Sequence, residues 1–295
     1  MVLKDGSKKV LIMTDPTASK ADFIHNDFAN INSWLFVPAT RIDRVTKAFA
    51  SDADAVIVDL EDAVDAADKV QARKDLQVYY DSEEYQPIWL RINQAGSTDF
   101  EEDLKVCQQM PNLAGLILPK AEQAADIEQL HKATGLPIIA LIETVLGLYH
   151  IDRLAKATGL LTFSYGFLDL CNDLQVQVGT AAADIIANQI RYQLLLTSKV
   201  HNLLAPIDTV YTGFNDEKGL SQRVQLWSQI GMSGMLCIHP KQIAVVQQSL
   251  QPTEADINFA RRVIEKYEQS GQAVFKIEGN MVDAPVIERC RQLLS

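Results

Sequence analysis

Pro137-Ile-Ile-Ala-Leu-Ile-Glu143 and, a helix length further on, Leu161-Thr-Phe-Ser-Tyr-Gly-Phe-Leu-Asp169 decide how this chain is read. Each is a short, nearly continuous apolar run of strand length that stops on a carboxylate. Strands apolar on both faces belong to parallel sheets covered by helices. In such sheets, ligands bind at the carboxyl ends of the strands. Glu143 and Asp169 are therefore expected at the same end of two successive strands. Two carboxylates there suit a hard divalent cation such as Mg²⁺, which takes one or two protein carboxylates and completes its shell with water and substrate oxygens.

Six further runs share the pattern: Trp34-Leu-Phe-Val37, Ala55-Val-Ile-Val-Asp59, Ile88-Trp-Leu-Arg91, Gly115-Leu-Ile-Leu118, Leu203-Leu-Ala-Pro-Ile-Asp208 and Met235-Leu-Cys-Ile238. Most are bounded by Pro, Gly or a charge. Between them lie stretches with apolar residues at helical spacing, over 70–80, 100–110 and 180–200, the second opened by Thr98 and Glu101 at capping-box spacing. Eight alternating units predict an α/β fold, a TIM (β/α)8 barrel, over residues 31–251. Residues 1–30 read as an N-terminal extension. Residues 252–295 break the rhythm and read as a C-terminal helical and hairpin appendage, a lid and subunit contact. There Thr253 and Asp256 cap a helix running to about Ser270, Gly279-Asn280 makes a turn, and Pro285 starts a last helix.

The composition narrows the function. A net charge of -11 over 295 residues argues against broad affinity for nucleic acid or anionic membrane. No apolar run reaches the roughly 18 residues of a membrane span. Cys107, Cys171, Cys237 and Cys290 show no paired spacing, which favours buried thiols in a cytoplasmic protein over zinc or a disulfide framework. The apolar stretch near the N-terminus, Val10-Leu-Ile-Met13, is too short for a secretory signal.

The strand ends carry a biased set of side chains: Asp59 and Glu61, Arg91 and Asn93, Lys120, Glu143, Asp169, Asp208 and His239. Asp59 and Glu61 share one face by the two-residue period. Arg91 presents a planar fork suited to a carboxylate, so an α-keto or α-hydroxy acid is the natural substrate. Mg²⁺ on Glu143 and Asp169 would chelate that acid, and metal and guanidinium together would stabilise charge developing on its oxygen. Glu61 stands one position outside the metal's inner shell, placed to hydrogen-bond water there. Gly166 lets backbone approach the ligand closely. His239, before Pro240, is read as capping the turn after its strand.

Leu35-Phe-Val-Pro38, Asp59-Leu-Glu-Asp-Ala-Val64, Arg91-Ile-Asn93, Leu118-Pro-Lys120, Leu141-Ile-Glu-Thr144, Gly166-x-x-Asp169 and Ile238-His-Pro-x-Gln242 together resemble the signature of the citrate lyase β-subunit-like branch of the HpcH/HpaI aldolase superfamily. Glu278-Gly-Asn-Met-Val-Asp283-x-Pro285 resembles that family's C-terminal motif. The resemblance runs in order from about Ser33 to the C-terminus. It implies a TIM barrel, a homotrimer, and Mg²⁺-dependent carbon–carbon cleavage of a short 3-hydroxyacyl-CoA. Citramalyl-, citryl- or malyl-CoA would give acetyl-CoA and a 2-oxo acid. By the same resemblance the metal ligands are Glu143 and Asp169, the carboxylate-binding arginine is Arg91, and the acid/base is Asp283, reaching in from a neighbouring subunit. Ala39-Thr40 and Gly234-Met235 depart from the family pattern where the thioester would be held. Two alternatives stay open: an aldolase acting on free 4-hydroxy-2-oxo acids, and a citrate lyase β subunit acting on a carrier-protein thioester within a complex.

Overall fold

The computed structural model describes residue 28 and residues 30–294, so nearly all of the expected N-terminal extension lies outside the described residues. Eight parallel strands follow one another as β1 (Ser33–Pro38), β2 (Ala55–Asp59), β3 (Trp89–Arg91), β4 (Gly115–Leu118), β5 (Ile138–Ile142), β6 (Leu160–Tyr165), β7 (Ile207–Asp208) and β8 (Gly234–Cys237). Their lateral order is β6-β5-β4-β3-β2-β1-β8-β7, which wraps the sheet into a nearly closed TIM barrel. Helices such as Lys69–Tyr80, Thr98–Gln108 and Ala181–Val200 connect the strands. The chain divides into two compact units between Ser249 and Leu250.

Inside the first unit, side chains on alternate strand positions fill the barrel. Trp34, Ile57, Trp89, Ile117, Ile139 and Leu236 belong to one buried core. At one end of that core Trp89 packs edge-on against Phe28 at 5.4 Å and Trp34 at 5.3 Å, and the last two rings stack on each other. Gly115 leaves the space that the Trp89 indole occupies, since a Cβ there would collide with the ring.

One irregularity decides which side chains reach the site. Between Ile138 and Ile139 the register against β6 shifts, setting Thr162 opposite Ile139 and Ser164 opposite Leu141. Partners in a parallel pair share a face, so Thr162, Ser164 and, two residues on, Gly166 turn to the barrel interior. Tyr165 turns outward instead. Its hydroxyl donates to Asp208 Oδ1 at 2.7 Å, and the same carboxylate pairs with Arg191 through Nε at 2.8 Å and Nη2 at 3.2 Å.

That cluster bridges β6 and β7, the seam where no strand ladder forms among the described residues. The expected run Leu203–Asp208 shrinks to two strand residues because Pro206 brings no N–H to a ladder. Its place is taken by Leu204 N–H donating to Leu161 O at 3.1 Å and by Thr162 Oγ1, 3.0 Å from the carbonyl oxygens of Leu204 and Ala205. A second correction concerns the helix over Thr98–Gln108. Its cap is Ser97, whose Oγ accepts Phe100 N–H at 3.1 Å, rather than Thr98.

In the second unit, Thr253 and Asp256 form the expected capping box on the helix Glu254–Ser270. A hairpin of β9 (Phe275–Ile277) and β10 (Asn280–Val282) turns through Glu278 and Gly279, both at positive φ as a two-residue primed turn requires. Asn280 therefore belongs to a strand, not the turn. The closing helix, Ala284–Leu294, buries Ile287 and Cys290 against Val263 and Phe275.

All four cysteines are buried and free, as their spacing predicts. No helix among the described residues is long and apolar enough to cross a membrane.

The Arg191–Asp208 pair is fully buried, so removing the cation strands a carboxylate in the interior. Arg191→Met is expected to destabilise the protein by about 3–5 kcal/mol, read from urea denaturation; a loss within experimental error would show that the pair does not hold the seam.

Candidate active site

The carboxyl ends of β2, β3, β4 and β5 bring Asp59, Glu61, Arg91, Lys120 and Glu143 into one buried polar cluster. Asp59 and Arg91 are lateral partners in the β2–β3 register, which places their side chains on the same face. Asp59 takes the guanidinium fork, accepting Nε at 2.8 Å and Nη2 at 2.6 Å. Its own position is held by the N–H groups of Glu61 at 2.9 Å and Ala63 at 3.3 Å. The Phe36 ring lies 5.0 Å from the guanidinium carbon and supports it from another side. From its sequence, this fork is expected to meet a substrate carboxylate. The structure instead gives one edge to Asp59, and the remaining nitrogen, Nη1, lies 3.0 Å from Glu61 Oε2 and 3.7 Å from Asp62 Oδ2.

Glu61 bridges two cations, Arg91 on one oxygen and the Lys120 ammonium on the other. Its Oε2 is buried and accepts no hydrogen bond among the described residues. Burial pushes its carboxyl above the usual range, against the pull of Arg91 and Lys120. Lys120, one of the expected strand-end residues, is held tightly. Its backbone sits at φ +48, a conformation that turns its N–H toward Glu143 Oε2 at 3.0 Å.

Glu143 is 3% exposed and directly follows β5. Burial, and next the negative charge of Glu61, push its carboxyl up to about 8, with Asp169 adding in the same direction and Arg91 and Lys120 opposing. Gly166 explains how a glutamate fits there. A Cβ at Gly166 would stand 2.6 Å from Glu143 Oε1 and 2.7 Å from its Cγ. The glycine thus makes room for the carboxylate, a more specific duty than open access for a ligand.

Asp169 is placed differently from the expectation. β6 ends at Tyr165, and Asp169 lies four residues on, exposed in the first turn of a short helix, Phe167–Asp173. Its charge still reaches Glu143. Two expected strand-end residues are not in this cluster. Asp208 is consumed by the Arg191 pair, and His239 stacks on Phe214 at 5.0 Å while its Nδ1 accepts Lys241 N–H at 3.1 Å, the turn-capping role read from sequence. Asp283 belongs to the second unit, where its Oδ1 faces Val286 N–H at 3.4 Å at the start of the last helix.

A further layer was not legible in the residues. Asn93 N–H and Nδ2 donate to Asp103 Oδ2 at 2.8 and 2.7 Å, and Asp103 Oδ1 accepts Arg73 Nε at 2.6 Å. This buried relay fixes the backbone just past Arg91. Only the helical register of Arg73 and Asp103 on their own faces could have hinted at it.

Among the described residues, no group of three or more His, Cys, Asp or Glu forms a complete metal cage. The donor set instead suits a cation content with two protein carboxylates and further oxygens from water and ligand. The cluster is also rich in acids whose ionised forms such an ion would favour: among the described residues, Asp59, Glu61, Asp62, Glu143 and Asp169 gather around Arg91 and Lys120.

A parallel eight-stranded barrel with a charged, buried cluster at the carboxyl ends of its strands defines an enzyme of the TIM-barrel class. The family model described as HpcH/HpaI aldolase/citrate lyase matches residues 32–240, and the chain belongs to that family. A citrate lyase subunit beta-like protein of Mycobacterium tuberculosis is 34% identical over 270 residues, 88% of this chain and 93% of that protein. A (3S)-malyl-CoA thioesterase of Cereibacter sphaeroides is 30% identical over 271 residues, 89% of this chain and 93% of its own length. Among solved structures, CitE from Mycobacterium tuberculosis in complex with magnesium, acetoacetate and coenzyme A is similar at a TM-score of 0.81 and 32% identity, covering 90% of this chain and 98% of that one.

An unfolded glutamate ionises near 4.5, and Glu143 in the folded protein near 8. Between those values the folded state holds a proton that the unfolded state has lost, so metal-free protein loses stability as pH rises through this window. Thermal melts in chelator from about pH 5 to about pH 9 are expected to show that decline in the wild type and a flatter profile in Glu143→Gln. Parallel profiles would contradict the assignment.

Proposed function

We propose that this protein is a Mg²⁺-dependent carbon–carbon lyase that cleaves a short 3-hydroxyacyl-CoA, of the citramalyl-, citryl- or malyl-CoA type, into acetyl-CoA and a 2-oxo acid. The observation that carries this reading is Glu143. Its carboxylate is buried against Gly166, lies within the field of Asp169, and shares a cluster with an arginine whose orientation is fixed. Glu143 and Asp169 would hold the cation. When bound, Mg²⁺ supplies Lewis-acid stabilisation of negative charge on a substrate oxygen.

The chain's own residues do the rest. Asp59 and Phe36 hold the Arg91 guanidinium rigid, and its Nη1 edge, shared with Glu61 Oε2 at 3.0 Å, is the side we assign to the acid end of the substrate. Arg91 stays charged throughout: burial works against the cation, and the Asp59 hydrogen bonds together with the charges of Asp59, Glu61 and Glu143 outweigh it. Glu61 Oε2, paired in charge with Arg91 Nη1 at 3.0 Å but accepting no hydrogen bond among the described residues, is the acceptor we assign to the substrate hydroxyl proton. As that proton leaves, the bond between the carbinol carbon and the thioester α-carbon breaks, giving the keto acid and the acetyl-CoA enolate. The enolate carbon then takes a proton from an acid, and we assign that acid to Asp283 of a neighbouring copy. The same reading makes the second unit a lid and subunit contact in a homotrimer.

The relatives support the ligand class: magnesium, a keto acid and coenzyme A occupy the M. tuberculosis CitE structure. The Cereibacter relative's name adds thioester hydrolysis to the activities a substrate panel has to separate.

A panel of citramalyl-, malyl- and citryl-CoA, a free 4-hydroxy-2-oxo acid and a carrier-protein thioester tests the proposal. Turnover of at least one CoA thioester is expected, yielding keto acid and acetyl-CoA and abolished by chelator. Glu143→Gln and Asp169→Asn are each expected to lose at least about 100-fold in kcat/KM. Turnover of the free acid alone, or wild-type rates in both variants, would overturn it.

A further inference from the structure

Glu143 and Asp169 sit on different strand-to-helix connections, and a two-carboxylate site works only while those connections keep their spacing. Glu143 is steadied from the β4 side by Lys120 N–H. Asp169 rides on the helix Phe167–Asp173, anchored by buried Leu170 and Cys171, with Gly166 providing no side-chain cap. Asp173 lies one turn beyond Asp169 on the same face of that helix.

The Asp173 carboxylate reaches across. Its Oδ2 accepts the N–H of Val145 at 2.7 Å. Val145 is two residues past Glu143 and is the first residue of the helix Val145–Tyr149. Its N–H is one of the first-turn donors that a helix cannot satisfy internally. Thr144 Oγ1 takes another, from Gly147 at 3.0 Å. The donors of this turn are thus divided between its own cap and a carboxylate from the Asp169 helix.

We propose that Asp173 is a positioning residue for the cation site: by capping the Glu143 connection from the Asp169 helix, it sets the separation of the two ligating carboxylates. The proposal rests on the reading of Glu143 and Asp169 as the cation's holders. A carboxylate on a backbone N–H makes a short, charge-assisted bond, stiffer than a neutral cap. Outer partners of metal ligands commonly change affinity by about 10–100-fold.

Mg²⁺ and Mn²⁺ binding to the full chain, measured by calorimetry without substrate, tests it. Asp173→Ala is expected to weaken Mg²⁺ binding about tenfold. Asp173→Asn, which keeps an oxygen to accept the Val145 N–H, is expected to stay within about threefold of wild type. Val145→Pro removes the donor and leaves the acid; proline is well accepted at a first helical position, and Thr144 before it is already extended. It is expected to reproduce the Asp173→Ala loss, and the double variant to be no weaker than either single one. It also keeps the test alive if Asp173→Ala fails to fold.

Wild-type affinity in Asp173→Ala or Val145→Pro overturns the positioning role. Equal weakening in Asp173→Asn and Asp173→Ala, with none in Val145→Pro, would assign the effect to the charge instead and also overturns it. Failure of the underlying site looks different: wild-type protein then binds no Mg²⁺, or Glu143→Gln binds it as tightly as wild type.

Discussion

A carboxylate has been taken out of water and left among other carboxylates. Glu143 is buried, with Glu61 and Asp169 raising the cost of its charge and Arg91 and Lys120 lowering it. Burying an ionised acid is costly unless it is paired and hydrogen-bonded. Here its backbone donor among the described residues is Lys120, which adopts a left-handed backbone to deliver it. Much of the local architecture serves this one group: the register shift that turns Gly166 inward, the glycine itself, and the two basic side chains shared with Glu61. A cation in that place would turn an electrostatic liability into a ligand.

The second constraint is rigidity. Arg91 is clamped by Asp59 on one edge and backed by Phe36, and the strand continuing past it is tied through Asn93, Asp103 and Arg73. A preorganised cation binds a developing negative charge without first having to turn. That clamp also explains a feature of the sequence with no obvious local purpose, the acidic stretch Asp59-Leu-Glu-Asp62. Its members are the counter-charges of Arg91 and Lys120, spaced so that Asp59 and Glu61 face the same way.

The barrel was legible in the residues because buried parallel strands announce themselves as short apolar runs, and eight of them recur between amphipathic helices. Where it was misread, local chemistry explains the difference. Pro206 cut the seventh run to two strand residues. Asp169 continues an apolar run past the true end of β6 because the helix that follows buries Leu170 and Cys171. That Glu143, Arg91 and Glu61 gather at one end of the barrel was legible since charge at a buried strand end needs a reason. The Tyr165–Asp208–Arg191 cluster was not, because its geometry depends on a register shift that no residue type marks. Asp173 was hidden for a similar reason, its partner being a backbone N–H 28 residues away.

At the centre of the proposed function is a divalent ion seated between Glu143 and Asp169 with a keto acid against Arg91. Crystals of the full chain grown with Mn²⁺ and pyruvate, and measured at the manganese absorption edge, test that most directly. The expected result is one anomalous peak within bonding distance of both carboxylates, with the keto acid in contact with the peak and with the guanidinium. Peaks only elsewhere, or none with the keto acid bound, would contradict it.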